Sequence, residues 1–120
     1  MRRTNLSGAV CPVARSLDAV GDWWSLLLVR DAFFGLRRFG EFQRSLGLAK
    51  NILATRLRTL VEREIFALVP AADGGPYQEY VLTEKGQALR PVLDALRDWG
   101  DAYCPAPRAK RPARKRAAKP

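Results

Sequence analysis

Histidine is absent from this 120-residue chain, and cysteine occurs only twice, as Cys11 and Cys104. Without an imidazole there is no general base for a Ser-His-Asp or Cys-His arrangement. Two isolated cysteines with no CxxC spacing cannot supply a structural zinc set. No glycine-rich phosphate loop occurs either. An enzyme is therefore not expected, and no catalytic residue, metal or cofactor is assigned. Long apolar runs are also lacking. None, the run around residues 26–29 included, comes near the roughly 20 residues that cross a bilayer. The N-terminus has no apolar core of a secretory signal. These absences lead to the expectation of a cytoplasmic protein with no membrane partner.

Acidic residues are the next shortage. Lys and Arg number 21 against 12 Asp and Glu, giving +9 and a pI near 10.4. The excess is uneven. Arg108, Lys110, Arg111, Arg114, Lys115, Arg116 and Lys119 hold seven of the nine net charges, which leaves +2 for residues 1–103. Residues 104–120 are almost entirely Ala, Pro, Lys and Arg, a composition with little to bury and expected to be disordered. Three segments follow: a loose arm over residues 1–10, a folded body over 11–103, and a basic tail over 104–120. The tail reads as a sequence-independent phosphate anchor or as a plain solubilising extension.

Within the body the apolar spacing sets out the elements. Val13, Leu17 and Val20 recur at helical intervals behind Pro12, predicting a helix over Pro12–Val20. Asp22 is a good N-cap for a second helix, rich in apolar residues from Trp23 to Phe34 and stopped by Gly35. Being apolar nearly all round, it is expected to be the buried central helix. Phe39, Phe42 and Leu46 mark a short third helix ended by Gly47. A fourth is predicted over residues 50–64, roughly 22 Å long. Its Leu53, Leu57, Leu60 and Val61 share one side; Asn51, Thr55, Arg58 and Glu62 share the other. Residues 66–69 and 79–82 read as strands joined by a flexible tip containing Asp73-Gly74-Gly75-Pro76. Thr83 caps a last helix, in which Pro91 marks a kink or a late start.

The order helix, turn, helix, hairpin over residues 37–82 is that of a reader that lays one helix in a DNA groove and braces it with a wing. The fold class expected is α+β, a mostly helical winged helix-turn-helix domain with one β-hairpin and flanking helices for dimerisation. The chain resembles the HxlR-type family of bacterial winged helix-turn-helix transcription regulators. The resemblance runs through Cys11-Pro12, Val20-Gly21, Leu28-Val29-Arg30-Asp31, Arg38-Phe39-Gly40-Glu41-Phe42, the helix from Asn51-Ile52-Leu53 to Arg56-Leu57, and Tyr80-Val81-Leu82-Thr83-Glu84-Lys85-Gly86. It implies a homodimeric regulator that binds double-stranded DNA. It also implies that Cys11 stands where some members carry a cysteine that senses electrophiles or oxidants. Two features depart from the family pattern: the basic tail, and a wing loop that is acidic at Asp73.

The candidate DNA-binding residues are Arg37, Arg38, Lys50, Asn51, Ala54, Thr55, Arg56, Arg58, Tyr77 and Gln78. Asn51, Ala54, Thr55 and Arg58 form the expected groove-facing strip. Asn can bond adenine in two places, and Lys50 can reach guanine or phosphate. Arg37 and Arg38 are read as phosphate clamps beside a helix N-terminus. Arg56 either pairs with Glu62 or Glu41 or reaches a phosphate. Tyr77 and Gln78 either touch DNA or close the hairpin. Cys11 is either an inert buried residue or a thiol favoured as thiolate at a helix start, with Arg15 adding to the effect. Trp23, Trp24 and Trp99 are assigned to core or dimer packing. The apolar stripes Val13, Leu17, Val20 and Leu89, Val92, Leu93, Leu96, Trp99 exceed what so small a body buries alone, so a homodimer through the first and last helices is expected. The leading function is a regulator of a pseudo-palindromic operator, with thiol responsiveness open. The alternative is a nonspecific nucleic-acid scaffold driven by the tail. The residues name no effector.

Overall fold

The structure is a computed structural model that describes residues 5–107. All seven basic residues of the expected tail anchor lie outside the described residues. The described residues form two compact units, which divide between Arg90 and Pro91.

The first unit runs α1 (Pro12–Val20), α2 (Trp23–Phe33), α3 (Phe39–Leu46), α4 (Lys50–Glu62), β1 (Phe66–Pro70), β2 (Gln78–Leu82) and α5 (Glu84–Gln87). Its helix ends are chemically legible. Asp22 caps α2 by accepting from the Ser25 amide at 2.8 Å and the Ser25 hydroxyl at 2.7 Å. After α2, the Leu36 amide reaches Asp31 O and Gly35 reaches Ala32 O, a Schellman closure over Gly35 at φ +103. The turn between α3 and α4 depends on Gly47, whose φ of +68 suits a residue without a Cβ.

The fourth helix stops two residues earlier than its apolar spacing suggests. Ile65 N bonds Leu60 O and Glu64 N bonds Val61 O, both at 2.9 Å. That is again a Schellman closure, but its left-handed position is held by Glu64, at φ 63, rather than by glycine. The strain is sustained because Leu60 and Ile65, on either side of the turn, are both buried in the core.

β1 and β2 pair antiparallel, Phe66 opposite Leu82 through Pro70 opposite Gln78. Phe42 of α3, Phe66 and Tyr80 form a ring triangle with centroid separations of 6.0–6.3 Å, which locks α3 onto the hairpin. Burial raises the Tyr80 phenol above its ordinary pKa. Leu53, Leu57 and Leu60 of α4 and Leu28 and Val29 of α2 complete the core, all fully buried. Arg63, just past α4, donates to the carbonyls of Asp18 and Ala19, tying the end of α1 to the end of α4.

Only the middle of α2 is buried as expected. Trp23 at its start is 81% exposed and Phe34 at its end 73%. Ser25 and Asp31 are the buried polar residues of that helix, because their side chains serve the cap and the Arg30 pair. Val20, expected on the dimer stripe, belongs to the core instead at 7% exposure.

The helix expected after Thr83 divides into α5 and α6 (Arg90–Tyr103). Thr83 caps α5 through the Gly86 amide at 3.0 Å, and α6 starts late, with Pro91 in its first turn, where proline needs no donor. In the second unit, Trp99 and Tyr103 of α6 pack in a tilted arrangement with ring centroids 5.5 Å apart. Among the described residues no helix is long and apolar enough to cross a membrane.

Gly86 is buried, and a Cβ built there would lie 2.3 Å from the Ile65 carbonyl oxygen. Gly86→Ala should therefore lower stability by about 1–3 kcal/mol, the range for overpacking. Urea denaturation with an unchanged m-value would show the loss; an unaltered midpoint would mean that the α5 turn moves aside without cost.

Candidate nucleic-acid interface

The outer strip of α4 follows from its inner one. With Leu53, Leu57 and Leu60 fully enclosed, the helix is rotated so that Lys50, Asn51, Ala54, Thr55 and Arg58 are all exposed. Thr55 Oγ1 donates to the Asn51 carbonyl at 3.0 Å, and an Arg58 Nη reaches Thr55 Oγ1 at 3.5 Å. These contacts are local and weak, so the strip stays available to a ligand. Ala49 stands at the N-cap without a side-chain hydrogen bond, leaving first-turn amides of α4 uncapped beside Lys50.

Before α3 a carboxylate of the helix reaches back to the backbone. Glu41 Oε1 accepts from the amides of Arg37 and Arg38 at 2.8 and 3.0 Å. Those two amides hold the Glu41 carboxyl below its ordinary pKa. Glu41 thus claims the two amides just before α3, while the first-turn amides of that helix have no side-chain cap.

The Arg37 and Arg38 side chains also have protein partners. Glu79, a β2 residue only 5% exposed, receives Arg38 Nε on Oε2 at 3.2 Å. Its Oε1 lies 3.2 Å from Arg37 Nε, within ion-pair range but without hydrogen-bond alignment. Arg38 Nη2 reaches Asp73 Oδ2 of the wing loop at 3.0 Å, and its guanidinium lies 4.4 Å from the centre of the Tyr77 ring. The Tyr80 amide bonds the Arg37 carbonyl at 2.8 Å, so the backbone before α3 runs along β2. The hairpin tip, expected to be loose, is held by these contacts and by Gly75 N to Asp73 Oδ1 at 2.8 Å. The Asp73 hydrogen bond, ahead of Glu79, raises the already high Arg38 pKa. The Gly75 amide first, then Arg38, hold the Asp73 carboxyl below the usual aspartate range.

The remaining candidates fall as follows. Tyr77 and Gln78 are exposed, Tyr77 facing Arg38 and Gln78 paired with Pro70 in the sheet. Arg56 is half-buried, its Nε enclosed without a hydrogen-bond partner, and it forms an ion pair with neither Glu41 nor Glu62 among the described residues. Glu41 is committed to backbone amides, and Glu62 points outward. Cys11 and Cys104 are both exposed free thiols. That overturns the buried reading of Cys11, which stands at the N-cap of α1. Arg15 folds back to the Val10 carbonyl at 3.3 Å. No group of three or more potential metal ligands occurs among the described residues.

Two important groups escaped the sequence reading. Glu79 looks like an ordinary strand residue; only its place opposite Val69 and beside the two arginines makes it a buried anchor. Arg63 looks like a helix-end charge, yet it spans to α1 over 44 residues. Neither leaves a local signature, because the partner is remote in sequence.

An HxlR-like helix-turn-helix family model matches residues 19–108. An HTH-type transcriptional regulator of Mycobacterium tuberculosis, itself uncharacterized, is 46% identical over 95 residues, covering 79% of this chain and 60% of that protein. The chain thus spans about 60% of the length of such relatives. Among solved structures, PA1607, a candidate transcription factor, superposes with a TM-score of 0.83 at 60% identity, over 90% of this chain and 75% of that one. The redox regulator HypR in its reduced form gives 0.72 at 30% identity, over 79% of this chain and 95% of that one.

The Arg38–Asp73 contact has a titration signature. Because the native Asp73 value is depressed, the contact is intact at neutral pH and fades as pH falls through that depressed value. Arg38→Gln should move the Asp73 midpoint up, though not fully to the ordinary range, since the Gly75 amide remains. Carboxyl-carbon NMR titration reads this directly, and an unmoved midpoint would count against the contact.

Proposed function

The chain belongs to the HxlR-like helix-turn-helix family, and from that premise we propose a sequence-specific DNA-binding transcriptional regulator that acts as a homodimer on a pseudo-palindromic operator. One observation carries the reading: α4 buries its whole leucine side and exposes an uninterrupted strip of Lys50, Asn51, Ala54, Thr55 and Arg58. In this proposal α4 enters the major groove, where Asn51, Thr55 and Arg58 meet base edges and Ala54 allows close approach. Lys50 and the uncapped start of α4 meet phosphate. Arg37, Arg38, Arg56, Tyr77 and Gln78 flank the groove and set register rather than sequence.

Exposed apolar side chains support the dimer. Val13 and Leu17 of α1 are 66% and 54% exposed, and Val92, Leu96 and Trp99 of α6 are 43%, 50% and 60% exposed. Burying such stripes against a second copy would set two α4 helices on one face of the duplex. Residues 11–103 would form this dimeric body, with residues 1–10 as an arm and the basic tail from 104 adding affinity without sequence preference. Its place of action would be the cytoplasm, at the nucleoid. The resemblance to the redox regulator HypR and the exposed thiol of Cys11 at the start of α1 support a thiol-responsive regulator.

Genome-wide mapping of bound DNA, followed by affinity measurement on the recovered site and on random duplex, tests the core of the reading. Selective binding is expected. Equal affinity for both would favour a nonspecific scaffold driven by the tail, which holds seven of the nine net charges. On the recovered site, Asn51→Ala should cost about 5- to 150-fold in discrimination, corresponding to about 1–3 kcal/mol for a bidentate base contact; intact discrimination would move base reading to another side chain. Diamide should weaken binding of the wild type and leave Cys11→Ser unaffected. A response that persists in Cys11→Ser would assign it to another group.

A further inference from the structure

Arg38 stands at the junction of α3 and the hairpin, and its guanidinium has three protein partners before any ligand arrives. Nε is taken by the buried Glu79 carboxylate, one face lies on Tyr77, and the outward Nη2 is taken by Asp73. The three partners differ in kind. Glu79 is nearly enclosed, with its side chain 7% exposed, whereas the Asp73 side chain is 63% exposed. The first contact orients the guanidinium; the second covers its solvent-facing edge. An open cleft of about 520 Å³ between α3 and the hairpin is lined by Arg38, Arg44, Leu68 and Tyr77, and the Arg38 side chain keeps 32% of its surface in solvent.

We propose that Asp73 is an internal competitor of DNA phosphate: its carboxylate occupies the edge of Arg38 that would otherwise bind the backbone, and DNA must displace it. The idea rests on the DNA-binding reading above and adds a residue that sets affinity downward. The chemistry of the exchange is like for like, one anionic oxygen replacing another on the same N–H. The Arg38–Asp73 contact is water-facing and so worth little. A duplex presents dense phosphate charge whose release of counterions drives binding. The exchange is therefore feasible, and Glu79 keeps Arg38 oriented throughout it.

The sign of one substitution separates this role from a structural one. If Asp73 only braces the wing, removing its charge loosens the hairpin tip and weakens DNA binding. If it competes, the same change strengthens binding. Asp73→Asn keeps the shape and an oxygen for the Gly75 amide. Measured by fluorescence anisotropy on a mixed-sequence duplex of about 30 base pairs at low salt, it should bind about 1.5- to 5-fold tighter per protomer, the range of an exposed ion pair. Asp73→Ala should shift in the same direction. In an Arg38→Gln background the gain from Asp73→Asn should vanish, since nothing is left to compete for.

Unchanged or weaker binding by Asp73→Asn would overturn the proposal. So would an equal gain with and without Arg38, which would mean that any lost negative charge suffices. Because phosphate competition operates on any duplex, the comparison is independent of operator choice. Equal affinity of the wild type for genomic and random sites would sink the sequence-specific reading while leaving this comparison decisive. No binding of either protein to any duplex would sink both.

Discussion

The leucine side of α4 is the constraint on which the rest depends. Leu53, Leu57 and Leu60 are each fully buried, and each contributes about 1.5–3 kcal/mol by leaving water. Rotating the helix by a single residue, about 100°, would expose them and bury polar groups instead. No side-chain contact on the outer face approaches that energy. The exposed strip from Lys50 to Arg58 is therefore a by-product of core packing: the core decides the rotation, and the rotation decides which side chains face outward. The Glu64 turn serves the same end. It accepts a left-handed, non-glycine residue so that Ile65 can follow Leu60 into the core.

A second, polar seam joins α3 to the hairpin. Glu79 is buried in the sheet and takes charge from Arg37 and Arg38 at 3.2 Å. A carboxylate taken from water needs such partners, because an isolated buried charge is costly. The arginines in turn keep one side in solvent, so the pair is neither a sealed core bridge nor a surface contact of no consequence. Together with the Phe42, Phe66 and Tyr80 triangle, it fixes the angle at which the hairpin leaves the body. Glu41 completes the arrangement by holding the Arg37 and Arg38 amides that lead into α3. The first-turn amides of both α3 and α4 are without a side-chain cap.

Much of the fold was legible in the residues. Pro12, Asp22, Gly35, Gly47 and Thr83 mark real helix boundaries, because capping and left-handed turns are local chemistry. The two faces of α4 were legible for a similar reason, since helical periodicity converts spacing into direction. The candidates Lys50, Asn51, Ala54, Thr55 and Arg58 accordingly sit together on one exposed strip. Legibility failed where the deciding partner is far along the chain. Glu64 at positive φ carries no glycine to announce it. Trp23 looks like core and is exposed, because the aromatic content of α2 exceeds what its neighbours cover. Arg56 looks like an ion-pair partner of Glu41, but backbone amides claim that carboxylate first.

By itself, then, the sequence determined the element order, the helix-turn-helix and hairpin plan, and the two faces of α4, because capping, turn chemistry and periodicity act within a few residues. The tertiary structure alone decided which charges are spent inside the molecule. Arg38 meets Glu79 across 41 positions and Asp73 across 35, and Arg63 meets α1 across 44. Such pairings follow from where the packed core brings remote segments together, and no local pattern records them.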